Sequence, residues 1–184
     1  MVVEGGEGGG FKSPTPVSTM VLLPLIRSKV DVPIIAAGGI IDGATMAAAF
    51  TLGAEGVQMG TRMVSAAESP VHDNWKQAIV DAKETDTMYV MRSLRNTERV
   101  LRNEIAEKVV EMEAKGAGIA ELAPLITGKN GLRVLKDGDI DVGLMTAGQS
   151  VGLVRDVPTV RELIDTIISE AQEIAGTRIA GMMS

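Results

Sequence analysis

Apolar positions along the 184-residue chain fall into two regimes. Early on they form short, continuous runs: the tail of a strand over Met1 to Glu4, Val32 to Ala36, and Gly56 to Met59. Runs of that length, rich in β-branched side chains and bounded by glycine or proline, predict strands buried on both faces. Between them, Met20 to Ile26 reads as a short helix. Gly43 to Leu52 reads as an alanine-rich helix, with Asp42 as its N-cap and Gly53 just past its end. The two later strands stand about 23 positions apart, the spacing of a right-handed parallel βαβ unit. After Ser65 the period becomes helical. His72 to Ala82 predicts a short helix and Thr97 to Lys115 a longer one, with Val100, Leu101, Ile105, Val109 and Met112 on one side. Ile119 to Ile126 predicts another, and Gly128 to Gly138 reads as turn-rich. A Thr159-x-x-Glu162 capping box opens the last helix. Its stripe of Val160, Leu163, Ile164, Ile167, Ile168, Ala171 and Ile174 faces a core rather than a membrane, because its flanks are not basic.

Composition narrows the chemistry. The formal charge is −6, which argues against a cationic nucleic-acid surface. Cysteine is absent, so disulfides, thiolate metal sites and a cysteine nucleophile are excluded. A single histidine, His72, excludes a two-histidine metal site; it reads as a surface or packing residue. Aromatic residues are 2%, too few for base-stacking platforms. Neither a signal peptide nor a membrane-spanning run is visible, and the expected location is the cytoplasm.

The glycines are the informative residues. Two neighbouring parallel strands end in Gly38-Gly39 and in Gly60-Thr61. Glycine lets backbone N–H groups approach an anion closely, and Thr61 adds a hydroxyl. In (βα)₈ barrels the last two strand-end loops commonly grip a phosphate this way. The third cluster, Glu4 to Gly10, follows a strand and therefore lies on the same face. A loop stripped of side chains suits a flat ligand lying against backbone.

On four segments the chain resembles the nitronate monooxygenases, formerly 2-nitropropane dioxygenases, and the related flavin-dependent enoyl-acyl-carrier-protein reductases. Val3 to Gly10 is similar to the family's Gly-x-Glu-Ala-Gly-Gly-His loop. Pro33 to Ile40 with Asp42-Gly43 is similar to its strand-7 unit, and Leu52 to Arg62 to its strand-8 unit. Glu68 to Lys76 and Ala147 to Ser150 are similar to its post-barrel segments. The resemblance implies an α/β fold: the C-terminal part, about strands 6 to 8, of a TIM barrel, followed by a mostly helical extension. Residues 1–65 would be a partial FMN-binding barrel region and residues 66–184 a helical region packing on it. It implies FMN, with Gly38, Gly39, Gly60 and Thr61 on its phosphate, Glu7, Gly8 and Gly9 along the flavin, Ser18 at the head of the next helix, and Gln149 approaching from the C-terminal side. The implied reaction is oxidation of an alkyl nitronate with O2.

Two departures stand out. Phe11 occupies the position of the family's loop histidine, the usual candidate acid or base. A nitronate is already an anion, so its oxidation survives that loss. The chain also supplies only three barrel strands, so its first residue falls inside the family's strand 6. The expected partner is therefore a missing N-terminal barrel half or a second copy of the chain, and residues 1–184 expressed alone are expected to aggregate without stoichiometric FMN. Competing readings are an NAD(P)H-dependent enoyl-thioester reductase, a non-catalytic flavin- or phosphate-binding module, and an inactive truncated relative. The first lacks a visible acidic ribose-binding pattern after a glycine turn.

Overall fold

A computed structural model describes residues 1–182; the last two positions of the 66–184 region lie outside the described residues. The chain starts on β1 (Val2–Glu4), passes through the glycine loop to β2 (Gly10–Phe11), and enters helix α1 (Thr19–Arg27). Strand β3 (Ile35–Ala37), helix α2 (Gly43–Thr51) and strand β4 (Gly56–Gln58) follow. Strands β1, β3 and β4 form one parallel sheet in the order β1-β3-β4, with Val3 opposite Ala36 and Ala36 opposite Val57. Helix α2 starts where the sequence places it. Asp42 accepts from Thr45 N–H at 2.8 Å, and Thr45 Oγ1 in turn accepts from Asp42 N–H. Helices α1 and α2 cover one face of this sheet. Leu23, Ile34, Ala36 and Ala49 are buried there, and the two large side chains, Leu23 and Ile34, contribute about 1.5–3 kcal/mol each.

The second half contains helices α3 (Thr61–Val64) and α4 (Asp73–Asp81), then strands β5 (Thr87–Val90) and β6 (Glu98–Leu101). Helices α5 (Glu104–Ala114), α6 (Ile119–Ile126) and α7 (Gly128–Asp137) follow. A 3₁₀ turn at Gln149–Leu153 leads to α8 (Val160–Glu173), a π-helical turn at Ile174–Ile179 and a short α9 (Ala180–Met182). Helix α8 carries its capping box, and Leu163, Ile167 and Ala171 are its buried positions. It packs across the start of α2, where the Glu170 carboxylate accepts from Gly43 N–H at 3.0 Å.

Two expectations are corrected. Thr97 to Leu101 is not helical: Glu98–Leu101 is β6, paired antiparallel with both β5 and β2. Val100 and Leu101 fit either period, and burial on both sides removes the alternation that marks a strand. The break comes at Asn103, whose side chain caps α5 by accepting from Ala106 N–H at 2.8 Å. The region after residue 65 is mostly helical but carries strands β5 and β6, which complete an antiparallel sheet with β2 from the first half, in the order β2-β6-β5. Gly128 to Asp137 is not a run of turns but helix α7. Val134 anchors it fully buried, and it stops at Gly138, which adopts φ +70°.

Candidate active site

The glycine loop between β1 and β2 is tied down along its length. Gly5 N–H donates to Ala37 O at 3.1 Å, which holds the loop against the end of β3. Gly6 O accepts from Arg99 Nε at 3.0 Å. The Glu7 carboxylate takes Thr19 N–H at 2.8 Å and lies 2.9 Å from Thr19 Oγ1, at the start of α1. Thr19 Oγ1 also lies 2.8 Å from Gly38 O, so one residue touches the loop and the end of β3 together. Gly38 has φ +85°, and a Cβ there would stand 2.9 Å from Gly5 O. The position therefore demands glycine on conformation and on space alike.

A cleft of about 380 Å³ opens where these pieces meet. Gly8 and Gly9 line one side; Gly38, Gly39, Gly60 and Thr61 line another. The segment 147–150 closes it from the C-terminal half. Gly148 N–H donates to Thr61 Oγ1 at 2.9 Å and Gln149 N–H to Glu7 O at 2.8 Å. Glu4 supplies the one ionisable side chain among the described residues that line the cleft. Lys12 holds that carboxylate at 2.8 Å and reaches Gly9 O at 2.9 Å, with only 4% of the Lys12 side chain exposed.

A profile of the nitronate monooxygenase family matches residues 1–170. The chain belongs to the nitronate monooxygenase family. That family is one of oxidoreductase flavoenzymes built on the TIM-barrel fold. The solved structure of FabK from Thermotoga maritima matches with a TM-score of 0.92 at 39% identity, over 98% of this chain and 56% of that one. A Rhodococcus jostii protein named (3aS,4S,5R,7aS)-5-hydroxy-7a-methyl-1-oxo-octahydro-1H-indene-4-carboxyl-CoA dehydrogenase is 32% identical, covering 93% of this chain and 58% of its own length. A probable nitronate monooxygenase of Staphylococcus saprophyticus is also 32% identical, with 95% of this chain and 51% of the relative covered. The chain thus spans about half the length of the curated relatives it matches. In this nitronate monooxygenase family member the described parallel sheet has three strands and is open.

Of the residues singled out in the sequence of this nitronate monooxygenase relative, Gly8, Gly9, Gly38, Gly39, Gly60 and Thr61 share the one cleft. Glu7, Ser18 and Gln149 are not among its lining residues. Glu7 directs its carboxylate to α1; Ser18 sits at the N-cap of α1 without a capping bond from its side chain; Gln149 is exposed and contributes its backbone. Phe11 lies on β2, 66% exposed. His72 caps α4, its Nδ1 accepting from Asn74 N–H at 3.1 Å, and packs against Gly138. Sequence reasoning missed Glu4, Gln58, Thr146, Ser150 and Trp75 as lining residues. Trp75 carried one signal, as the only tryptophan in the chain.

Proposed function

We propose that this chain forms the phosphate-gripping part of an FMN site in a nitronate monooxygenase that oxidises alkyl nitronates with O2 in the cytoplasm. One observation carries the reading: three separate glycine segments, each at the end of a parallel strand, line a single cleft. The residues present fit an FMN. A Cβ built at Gly60 meets no atom within 4 Å, so open space lies against the backbone there, as a phosphate cradle needs.

In this reading the N–H groups at Gly38, Gly39 and Gly60, with the Thr61 hydroxyl, hold the phosphate. Thr61 Oγ1 already accepts from Gly148, so its own proton is left to donate outward. Gly8 and Gly9 lie along the flavin. Glu7 keeps that loop in place through Thr19, Ser18 starts the helix behind it, and Gln149 fastens the closing segment through its backbone. Bound FMN supplies a two-electron acceptor that dioxygen reoxidises. The chain's own residues position the anionic substrate and shield it from water, and Phe11 leaves the loop without its usual acid–base side chain. Strands β1, β3 and β4 would be the sixth to eighth of an eight-stranded barrel, the others coming from further chain or from a second copy.

A second reading, an NAD(P)H-dependent reductase of an enoyl thioester, is favoured by the 39% identity to FabK and by the carboxyl-CoA dehydrogenase relative. Anaerobic flavin spectra separate the two. Bleaching of bound flavin by an alkyl nitronate, with NAD(P)H inert, supports the monooxygenase. Bleaching by NAD(P)H alone supports the reductase. Bound flavin that responds to neither marks a non-catalytic module.

A further inference from the structure

Among the described residues, three hydroxyl side chains line the cleft: Thr61, Thr146 and Ser150. The fold uses the first two. Thr61 Oγ1 accepts from Gly148 N–H, and Thr146 Oγ1 lies 2.7 Å from Glu98 Oε1. Ser150 is 9% exposed, and its Oγ has no hydrogen-bond partner among the described residues. Unlike Trp75 Nε1, that oxygen is not sealed off from solvent, so it opens into the cleft its residue lines. Ser65 shows what the same fold does with a serine buried in packing: it donates to Arg62 O at 2.8 Å. A hydroxyl so nearly buried is costly to leave unpaired, and a ligand in the cleft can supply the partner.

Ser150 is also held still. A Cβ at Gly148, two residues before it, would stand 2.5 Å from Glu7 O, and one at Gly152, two residues after it, would run into the Glu84 backbone. The 3₁₀ turn that carries Ser150 packs against α3, whose first residue is Thr61. Gly148 N–H on Thr61 Oγ1 ties the turn to the strand-end grip. No lysine, arginine or histidine is among the described lining residues, so an anion at that end is held by neutral donors. A serine hydroxyl is one.

We propose that Ser150 Oγ donates a hydrogen bond to a phosphate-monoester oxygen of bound FMN, beside Thr61 Oγ1. The assignment rests on the flavin reading above and adds to it a residue and the ligand group it recognises. Hydrogen bonds to charged acceptors are the stronger kind, so losing this one is expected to weaken FMN binding by about tenfold to a hundredfold.

The test uses the natural protein stripped of flavin. Because Ser150 Oγ bonds nothing inside the fold, Ser150→Ala is expected to leave the melting temperature of the flavin-free protein unchanged or slightly raised. In equilibrium dialysis the variant is expected to bind FMN more weakly by the stated factor, and riboflavin, which has no phosphate, within about threefold of wild type. The ³¹P resonance of bound FMN, recorded at saturation, is expected to differ between the two proteins. Equal weakening of FMN and riboflavin would move the contact to the ring or the ribityl chain and overturn the proposal. Undiminished FMN affinity, or a ³¹P resonance that does not move, would overturn it as well. Should Ser150→Ala fail to fold, Ser150→Cys, close in size and a poor donor, carries the same comparison. If wild type binds neither FMN nor riboflavin, the flavin reading itself falls, and this assignment with it.

Discussion

Gly60 and Gly38 look equivalent in the sequence, and the structure makes them different experiments. Gly60 has φ −91°, and a side chain there enters open space beside the cleft. Gly60→Val is therefore expected to fold with stability within about 0.5 kcal/mol of wild type, as for uncrowded sites. It should lose FMN affinity by about two to four decades, through two charge-assisted hydrogen bonds at ~1.5–3 kcal/mol each. Thermal melts and flavin retention measured together check it. Gly38→Val collides with Gly5 O and is strained, so its failure would say little about the ligand. Phe11 carries the second expectation at this scale. Preformed nitronate should turn over, whereas a neutral nitroalkane, whose carbon proton must first leave, should react at least about a hundredfold more slowly for want of a base. Initial rates on the two forms decide it. Equal rates would direct attention to Glu4, with Glu4→Gln as the follow-up. That Gly8, Gly9, Gly38, Gly39, Gly60 and Thr61 share one cleft was legible because they follow the ends of parallel strands, which lie on one face of the sheet. Glu7 was legible as a loop member but not in its role, since only the folded chain brings Thr19 beneath it.

Among the elements, those with local signals were readable and those made by distant pairing were not. Asp42 and Thr159 announced α2 and α8, and both caps form. Strands β2, β5 and β6 exist through one another. Two residues of β2 meet β6 nearly ninety positions later, and no periodicity in Gly10–Phe11 signals it. The α8 cap has a pH consequence. The Thr159 N–H and hydroxyl hold the Glu162 carboxyl below its ordinary value. The folded chain thus binds that proton less readily than the unfolded chain. The cap's contribution is present at neutral pH, fades as pH falls below the ordinary carboxylate value, and is gone below Glu162's own lowered pKa. A carbon-detected titration of Glu162 should show a midpoint below that of an exposed glutamate, and Thr159→Ala should raise it.

For the whole molecule, β1 and β4 each pair on one side only within the described sheet, and Val2 and Ile35 are 52% and 39% exposed. Open edges beside apolar side chains invite pairing between chains. If the three strands are the barrel part proposed above, residues 1–184 are expected to self-associate and to retain little flavin, and adding five further barrel strands, in the same chain or a second one, should restore both solubility and flavin retention. Light scattering coupled to gel filtration checks this. A monodisperse 19.3 kDa species with stoichiometric flavin would contradict it.

The glycine loop is also a joint. Gly5 is bonded to the parallel sheet through Ala37, and Gly10 and Phe11 are part of the antiparallel one. Arg99, buried at 6% exposure, binds Gly6 O from the middle of that second sheet. The two sheets therefore cannot separate without pulling this stretch of backbone apart. Opening of either sheet becomes an event felt by the other, and a ligand seated against the loop stabilises both at once. The cleft lining at Gly8 and Gly9 and the cooperativity of the fold share one loop.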